Sequence, residues 1–565
     1  MWKAFYVWLP LSVGVAQCGI AQAVRAPQIQ WQRQIGSTGD VIRACAQTAD
    51  GGFLLGGYSF SGTNLYKTSP SFGSADAWIV RVNSRGDKLW EQAFGGAGDD
   101  RLNNFELLSD GGTILCIESY NSINGNKESP AYGGNDIWVV RLDANGATVW
   151  QRSFGGTGDE YARVTALADG GFLIHGYSTS GTTGNKTAPG WGSYDYWLIR
   201  LNSAGDKVWE RSFGGEGSDF LSACIPTEDG GCLLGGYSYS VPGGNKTAPN
   251  YGYSDLWLVR LDQDGNELWQ KSLGGSGFEE FSSVLSTSNG DFLVAGMSTS
   301  GASGSKTSPN WGAKDIWLVR LDANGNQRWD HSYGGANEDR VDHLLPLASG
   351  GFALSGSSFS AVSGSKVSAN YGGSDLWILR VDSEGNVVSD KAYGGTGLER
   401  TSYADSWKRT PDNGLIVAAV SSSVPGGVKD SPSYGADDIW LLRFDQNGNK
   451  LWETSLGGSG SDDALNLIPT ADGGFVLGAS YSKQSIFFLI KFGPEQPSVS
   501  IARRQTTGVN DFELTVTGGT VDCVLEYSTN LWTWVPFQTN YAARPTVHSA
   551  SAALSRCFYR ARLLP

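Results

Sequence analysis

Histidine is scarce in this chain, and its scarcity narrows the available chemistry. The 565 residues hold four histidines, His175, His331, His343 and His548, and their spacing fits neither zinc ligands nor a Ser-His-Asp triad. The sequence also has no Gly-x-Ser-x-Gly nucleophile elbow and no two adjacent cysteines. These absences argue against a zinc enzyme and against a hydrolase of the nucleophile-elbow type.

Positive charge and long apolar runs are also limited. The chain has 42 basic and 56 acidic residues, a net charge of −14 and a pI near 4.9. This balance argues against nucleic acid and anionic membrane surfaces as partners, and is compatible with cations or neutral glycans. After the N-terminus, no apolar run approaches the length that spans a bilayer. Long stretches of helical periodicity are absent as well.

The first 23 residues have the pattern of a secretory signal peptide. Lys3 precedes an apolar run from Ala4 to about Ala16, and Ala21-Gln22-Ala23 fits a cleavage site. An alternative is lipidation at Cys18, although Gln17 suits that modification poorly. We therefore expect an exported protein, extracellular or on the cell surface, with the periplasm as a further possibility.

Tryptophan returns at a nearly fixed interval of sixty residues. A repeat of this period is typical of solenoids and propellers. One slot is occupied by Ser389. The recurring tryptophans are Trp31, Trp90, Trp150, Trp209, Trp269, Trp329 and Trp452.

A single repeat contains four short segments with β-strand character. In the third repeat we expect strands at Ala162–Ala168, Phe172–Ser178, Tyr196–Leu201 and Lys207–Phe213. An Asp-Gly-Gly turn joins the first two, a long polar loop joins the next two, and Gly205 supplies the last turn. Four antiparallel strands in sixty residues predict one propeller blade.

The two ends of the array predict a closed ring. Residues 29–35 supply a fourth strand with no first three before it, and residues 464–492 supply three strands with no fourth. Pairing these ends removes the open sheet edges. We predict an all-β, eight-bladed propeller over residues 29–492, closed by three strands from one end and one from the other.

The blade pattern resembles that of known propeller families. Segments such as DGGFLIHGYS and DIWLVRLDANGNQRW (Asp315–Trp329) resemble the blades of PQQ-type propellers, including the outer-membrane assembly lipoprotein BamB. They resemble still more closely a group of exported bacterial proteins with sixty-residue repeats. Dehydrogenases that use PQQ need calcium ligands and a vicinal disulfide; without adjacent cysteines we expect no PQQ, no other cofactor and no metal.

The residues after the propeller form a second predicted unit. Residues 493–497 read as a stiff linker, and residues 498–565 contain four or five strand-like runs. The pattern LEYSTNLWTW…CFYRARL resembles a small β-sandwich module at the C-termini of secreted bacterial proteins, which implies attachment to the envelope or display. Cys523 and Cys557 lie in strand-like runs of this unit and are a disulfide candidate.

Two sets of loops are expected to share one face of the propeller. The loop between the second and third strands carries a lysine and then an aromatic residue at fixed places; the loop between blades reads Gly-Gly-x-Gly and then an acid. The candidate binding aromatics are Phe72, Tyr132, Trp191, Tyr251, Trp311, Tyr371 and Tyr434. The lysines are Lys67, Lys127, Lys186, Lys246, Lys306, Lys366 and Lys429. The acids are Asp99/Asp100, Asp159/Glu160, Asp219, Glu279/Glu280, Glu338/Asp339, Glu399 and Asp462/Asp463.

These loops support two interpretations. In the functional one, the aromatics stack on sugars beside carboxylates that bind cations or hydroxyls. In the structural one, each lysine bonds a carboxylate, each aromatic packs on its loop, and the sameness around the ring reflects folding alone. For the strand arginines (Arg81, Arg141, Arg200, Arg260, Arg320, Arg380 and Arg443) we expect carboxylate partners between blades.

For function, we expect a non-enzymatic binding or scaffold module whose ligand, a glycan or a protein, contacts the loop face. The alternative is a glycan-active hydrolase that uses loop-face carboxylates, because acid pairs are abundant and none stands out.

Overall fold

The computed structural model describes residues 26–495, except 121–122, 349, 402–405 and 482–485, and beyond these the backbone of six further strands. Every regular element in the described part is a β-strand, and the part described contains no helix able to cross a membrane. The predicted signal peptide lies outside the described residues.

The first four blades have four consecutive antiparallel strands each. Blade one is β2 (Asp40–Gln47), β3 (Phe53–Ser59), β4 (Asp76–Val82) and β5 (Lys88–Phe94). Blade two is β6 (Asp100–Leu107), β7 (Thr113–Ser119), β8 (Asp136–Leu142) and β9 (Thr148–Phe154). Blade three is β10 (Glu160–Ala166), β11 (Phe172–Ser178), β12 (Asp195–Leu201) and β13 (Lys207–Phe213). Blade four is β14 (Asp219–Pro226), β15 (Cys232–Ser238), β16 (Asp255–Leu261) and β17 (Glu267–Leu273).

The next three blades repeat this order. Blade five is β18 (Glu279–Ser286), β19 (Phe292–Ser298), β20 (Asp315–Leu321) and β21 (Gln327–Tyr333). Blade six is β22 (Asp339–Pro346), β23 (Phe352–Ser358), β24 (Asp375–Val381) and β25 (Val387–Tyr393). In blade seven the first strand is in two pieces, β26 (Glu399–Thr401) and β27 (Trp407–Arg409), followed by β28 (Leu415–Ser421), β29 (Asp438–Phe444) and β30 (Lys450–Leu456).

The eighth blade closes the ring as the sequence predicts. Its own strands are β31 (Asp463–Pro469), β32 (Phe475–Tyr481) and β33 (Ile486–Phe492), and β1 (Ile29–Gln34) is the fourth. β1 runs antiparallel to β33, with the Ile35 amide donating to the Phe487 carbonyl at 3.0 Å. Three strands from one end of the array and one from the other therefore complete one sheet.

The third strands form the core because each is covered on both faces by a neighbouring blade. In β16 all seven residues are buried, and Trp257 lies at its centre. Trp257 packs in one cluster with Leu173 and Tyr196 of the preceding blade. The tight turns match the sequence signals: Gly205 has a φ of 81° and its amide donates to the Asn202 carbonyl at 3.1 Å.

Some predicted strand boundaries in blade three were wrong, such as the start of the third strand, which is Asp195 rather than Tyr196. The first strand of blade three begins at Glu160, two residues before the expected Ala162, and it ends at Ala166. Glu160 belongs to the strand because it pairs with Ser178, and the Ser178 hydroxyl donates to its carboxylate at 2.8 Å. An acidic residue did not suggest a buried strand position in the sequence.

Six of the seven strand arginines pair with a carboxylate of their own blade rather than of a neighbouring one, and Arg443 also pairs with Glu495. For Arg380 no carboxylate partner is found among the described residues. Arg260 Nη2 lies 2.6 Å from Asp229, which belongs to the first hairpin turn of the same blade. The same in-blade pairing occurs at Arg81, Arg141, Arg200, Arg320 and Arg443. The reason is the register: the arginine lies on the third strand beside the turn that carries the aspartate.

The C-terminal strands form two further antiparallel sheets. One contains β34 (Ser498–Thr506), β35 (Val509–Thr517) and β38 (Thr546–Ser549). The other contains β36 (Cys523–Ser528), β37 (Val535–Asn540) and β39 (Phe558–Leu563). The side chains of Cys523 and Cys557 lie outside the described residues, so the disulfide stays a prediction. In the propeller, Cys116, Cys224 and Cys232 are free thiols.

Candidate functional site: the loop face and its inner rim

The two sets of loops lie side by side on one face, as expected. Isolated bridges join the residue before a third strand to the residue before the next blade's first strand, as between Tyr194 and Ser218. The same bridge recurs between Ser254 and Phe278. Each junction between two blades is therefore covered, on this face, by one loop from each of the two blades.

The loop lysines are buried inside these junctions. Lys306 is 2% exposed, and its ammonium group donates to the carbonyls of Ser308 at 2.8 Å and Pro309 at 3.0 Å. It also lies 5.7 Å from the ring centre of Trp317, a cation–π distance. Burial lowers the pKa of Lys306 to about 8. Carbonyl groups, serine hydroxyls such as that of Ser332 at 2.6 Å, and an indole ring, rather than the expected carboxylate, hold the ammonium group.

Six of the seven candidate aromatics also lie in the junctions. At Gly184, where φ is 59°, an added Cβ would lie 2.7 Å from Cβ of Tyr132 in the preceding blade. The corresponding glycine–aromatic contacts are Gly125 with Phe72, Gly244 with Trp191, Gly304 with Tyr251, Gly364 with Trp311 and Gly427 with Tyr371. Each of these six rings lies beneath the loop of the next blade. This close contact explains why a glycine and an aromatic residue recur at these two positions of the repeat.

Three of the seven rings expose more than a third of their surface. Tyr251 is 38% exposed, Trp311 43% and Tyr434 52%. Tyr434 precedes the eighth blade, whose sequence lacks the long loop and its glycine. A binding role for the seven aromatics stays a prediction, and these three offer most of the available ring surface.

The inter-blade acids do not form a carboxylate ring facing solvent. In every loop one acid is fully buried at the start of the first strand: Asp100, Glu160, Asp219, Glu279, Asp339, Glu399 and Asp462. Asp339, for example, accepts the Gly335 amide at 2.7 Å and the Ser360 hydroxyl at 2.8 Å. The interpretation of these particular acids as ligands for cations or sugar hydroxyls was wrong, since they tie the loops to the strands.

A second buried carboxyl, which the sequence reasoning missed, faces each of these acids. Asp255 begins a third strand, accepts the Tyr251 amide at 2.7 Å on Oδ2, and is 1% exposed. Its carboxyl lies against that of Glu279, with which it shares a side-chain hydrogen bond. Burial, with the charge of Glu279, raises the pKa of Asp255 to about 6. The recurring Asp-x-Trp motif was the available signal.

The inner edge of the loop face differs from blade to blade. First strands lie innermost and contact one another across the junctions; Asn104 Nδ2 donates to the Val164 carbonyl at 2.8 Å and its Oδ1 accepts the Val164 amide at 2.9 Å. The residue after the buried acid stands at the loop-face end of this strand. Around the ring it is Val41, Arg101, Tyr161, Phe220, Glu280, Arg340, Arg400 and Asp463.

On blades three and four this inner edge is a continuous group of aromatic rings, which we call the aromatic arc: Tyr161, Tyr177, Tyr194, Phe220, Tyr237 and Tyr239. Ring centroids of Tyr161 and Tyr177 are 5.3 Å apart, and those of Tyr177 and Phe220 are also 5.3 Å apart. Phe220 lies 5.2 Å from Tyr237, which lies 6.0 Å from the 44% exposed Tyr239. The arc crosses the junction between two blades without a break.

On the side of blade two the arc meets the exposed Tyr120, then a carboxylate and arginines. Glu118, half-buried on β7, accepts Asn103 Nδ2 at 2.5 Å. Burial raises the pKa of Glu118. Arg101 lies 5.3 Å from the ring centre of Tyr58, and Arg43 lies 5.5 Å from the same ring.

Blades five to eight carry ion pairs at the same level, which we call the ion-pair arc: Glu280, Lys314, Glu338, Arg340, Arg400 and Asp463. Lys314 lies 2.8 Å from Glu280 and 3.6 Å from Glu338. Arg340 lies 2.9 Å from Glu338. The two arcs therefore differ in chemistry although the strands beneath them repeat. In the sequence, this difference shows as a single position, the residue after the buried acid, that varies inside an otherwise regular repeat.

Comparisons with known proteins identify no family. No family model matches the chain. The regulatory protein FlaEY of Caulobacter vibrioides is 27% identical over 217 residues, which are 37% of this chain and 21% of the relative. The chain thus spans about a fifth of that relative's length.

Solved structures resemble the chain weakly. A puromycin hydrolase mutant in complex with PGG has a TM-score of 0.39 and 14% identity, over 80% of this chain and 61% of its own. Prolyl oligopeptidase B from Galerina marginata has a TM-score of 0.37 and 9% identity, over 86% of this chain and 56% of its own. Similarity of this degree carries no argument about function.

Proposed function

We propose that the propeller is a non-enzymatic binding module, exported or displayed on the cell surface, and that it holds a neutral glycan at the aromatic arc. The observation that carries the proposal is the asymmetry of the inner rim. The junctions repeat around the ring, whereas the aromatic arc occupies one sector. A ligand that contacts one sector is the simplest reason for a repeated fold to vary there.

The chemistry of the arc favours a glycan. Five of its six rings are tyrosines, which combine a flat apolar face with a hydroxyl that exchanges hydrogen bonds with water or ligand. Tyrosine loses little conformational entropy on binding, because only two side-chain torsions need to be fixed. A sugar presents the complementary surface, with apolar C–H faces bordered by hydroxyls. The net charge of −14 disfavours polyanions at a distance.

The hydrolase alternative finds less support on the loop face. The buried member of each acid pair lies inside a junction, hydrogen-bonded to the loop that covers it. The aromatic arc offers accessible surface instead, with Tyr239 44% exposed. A sugar stacked on the arc would contact rings and hydroxyls, which supports binding rather than bond cleavage.

The test is titration calorimetry with soluble fragments of neutral β-glucans, xylans, mannans and galactans. The protein should bind one of these classes, and the double variant Phe220→Ala/Tyr239→Ala should lose about 30-fold or more in affinity, the loss of one interface hot spot. Phe359→Ala is the matched control, because Phe359 occupies the place of Tyr239 in blade six. It should bind as the unaltered protein does.

Two results would overturn the proposal. One is the absence of binding to every class of neutral fragment. The other is binding that the double variant keeps at full strength, which would place the ligand elsewhere. Release of reducing ends from any fragment, abolished by changing a loop-face carboxylate, would favour the hydrolase instead.

A further inference from the structure

Glu118 is the acidic exception at its position in the repeat. The residue before the last serine of the second strand is Tyr58, Glu118, Tyr177, Tyr237, Met297, Ser357 and Val420 in the first seven blades. Three of the others are tyrosines and none is charged. A carboxylate in a row of rings costs desolvation energy, so its presence needs a compensating interaction.

We propose that Glu118 is the specificity-determining residue of the aromatic arc, where its carboxylate accepts hydrogen bonds from two adjacent hydroxyls of the glycan. This inference rests on the proposed function. It goes beyond that function because it selects polyhydroxylated ligands that donate at this point and rejects ligands that carry an acidic group there.

The position of Glu118 joins it to the arc. Burial raises the pKa of both Tyr161 and Tyr177, and the charge of Glu118 adds to both shifts, so the carboxylate lies near the first two rings. Asn103 Nδ2 donates both to Glu118 and, at 3.0 Å, to the carbonyl of Ala162, the residue after Tyr161. One amide thus fixes the carboxylate of blade two against the strand that carries the first ring of the arc.

The charges of Arg43 and Arg101 act on Glu118 and favour its ionised form, while both guanidinium groups also contact other groups. Arg101 bonds Asp99 at 2.7 Å and lies over the rings of Tyr58 and Phe60. Arg43 is exposed and also lies over the ring of Tyr58. The hydrogen bond to Glu118 in this group comes from the neutral amide of Asn103. The carboxylate is therefore oriented by an uncharged donor, which leaves it a strong acceptor.

A carboxylate held in this way suits a sugar diol. Hydrogen bonds from hydroxyls to an ionised carboxylate are short and about twice as strong as neutral ones. A site built to accept a hydroxyl discriminates strongly against an analogue that lacks it, because the buried acceptor is then left unpaired. An acidic sugar at the same point would place two negative charges together.

The test compares neutral and acidic forms of one glycan. We take the neutral fragment that binds best, a deoxy analogue of it, and a form oxidised to contain a uronic acid. Glu118→Gln keeps the shape of the side chain and the oxygen that accepts Asn103. The matched control is Glu338→Gln, which removes a carboxylate from the ion-pair arc.

Glu118→Gln should bind the neutral fragment roughly 10-fold to 100-fold more weakly than the unaltered protein. It should bind the acidic form better, so that the ratio of the two affinities changes in favour of the acid. The deoxy analogue should bind the unaltered protein weakly and lose little more in the variant. Glu338→Gln should change none of these affinities.

An unchanged ratio of neutral to acidic affinity in Glu118→Gln would overturn the inference while the proposed function stands, provided that Phe220→Ala/Tyr239→Ala has lost binding. If the unaltered protein binds no neutral fragment, the proposed function fails first and this inference fails with it. An unfolding temperature for Glu118→Gln equal to that of the unaltered protein excludes misfolding as the cause of lost affinity.

Discussion

The blade junctions and the inner rim are built on the same strands but obey different rules. In the junctions a buried lysine, a clamped aromatic ring and two facing carboxyls recur from blade to blade. At the inner rim, one residue farther along the first strand, a valine, arginines, aromatic residues and acids alternate. The residues that repeat hold the blades together, whereas the residues that vary at the inner rim are not required by the fold.

The difference shows which residues of a repeat protein bear on function. A residue that recurs in seven blades solves a packing problem that all seven share. The aromatic arc is not needed for packing, since blades five to eight fold with ion pairs in its place. Altering one region at a time therefore shows whether the other responds.

The largest effect is expected from the core of a junction. Trp317 is fully buried, and its indole N–H donates to Asp330 at 2.9 Å. Trp317→Ala should lower the free energy of unfolding by about 3–5 kcal/mol, as for other buried aromatics. Trp311→Ala, in the loop of the same blade, should cost about 1–2 kcal/mol because its ring is 43% exposed. Urea unfolding followed by circular dichroism measures both, and equal costs would contradict the assignment of the core.

The facing carboxyls predict an unusual pH dependence of stability. The pKa is raised from 3.8 to about 6 at Asp136, Asp195, Asp255, Asp315 and Asp375. Such a group binds its proton more tightly when folded, so its contribution is complete below pH 4 and is lost as the pH rises through 6. The unfolding temperature should fall by at least about 5 °C from pH 4.5 to pH 7.5.

A single substitution isolates this effect. Asp255→Asn should stabilise the protein at pH 7.5 by about 1–2 kcal/mol and leave it unchanged near pH 4.5, because an amide can donate to Glu279 at every pH. The control is Asp229→Asn: Asp229 pairs with Arg260, and hydrogen bonds lower its pKa to about 2. That variant should lose up to about 1 kcal/mol at pH 7.5. Destabilisation by Asp255→Asn at pH 7.5 would contradict the pairing of Asp255 with Glu279.

The sequence predicted the architecture and missed the environment of its charges. The interval between tryptophans, the Asp-Gly turns and the unmatched strands at the two ends were enough to give eight blades and their closure. They could not show that Lys306 and Asp339 are buried, because lysine and aspartate usually signal exposure. Only contacts between blades, sixty residues apart, turn such residues into parts of a core.

The aromatic arc lay beyond sequence reasoning for a related reason. Tyr177 and Phe220 belong to different blades, and nothing local indicates that their rings are 5.3 Å apart. The aromatics that recur, such as Trp191 and Tyr251, were the predicted binding residues, and the structure places them in the junctions. A search for the most variable position inside the repeat would have found Phe220.

A smaller effect is expected from the exposed rings of the recurring loop aromatics. The triple variant Tyr251→Ala/Trp311→Ala/Tyr434→Ala should keep its affinity for the glycan within about twofold, since interface contacts outside a hot spot are nearly neutral. Calorimetry with the same fragment as for the arc variants provides the comparison. A loss equal to that of Phe220→Ala/Tyr239→Ala would show that the recurring aromatics bind the ligand and would remove the distinction between the two regions.

The smallest effect is expected from the ion-pair arc. The Arg340 side chain is 50% exposed and its partner Glu338 is 31% exposed, so water screens their attraction. The entropy lost in fixing the two side chains further reduces the stabilisation that the pair gives. Arg340→Ala should change the free energy of unfolding by less than about 1 kcal/mol, and less still in high salt. Glycan affinity should stay the same, because the residue lies in the sector without the aromatic arc. A clear loss of affinity would mean that the ligand spans the whole rim, and the sector that binds it would then be both arcs together.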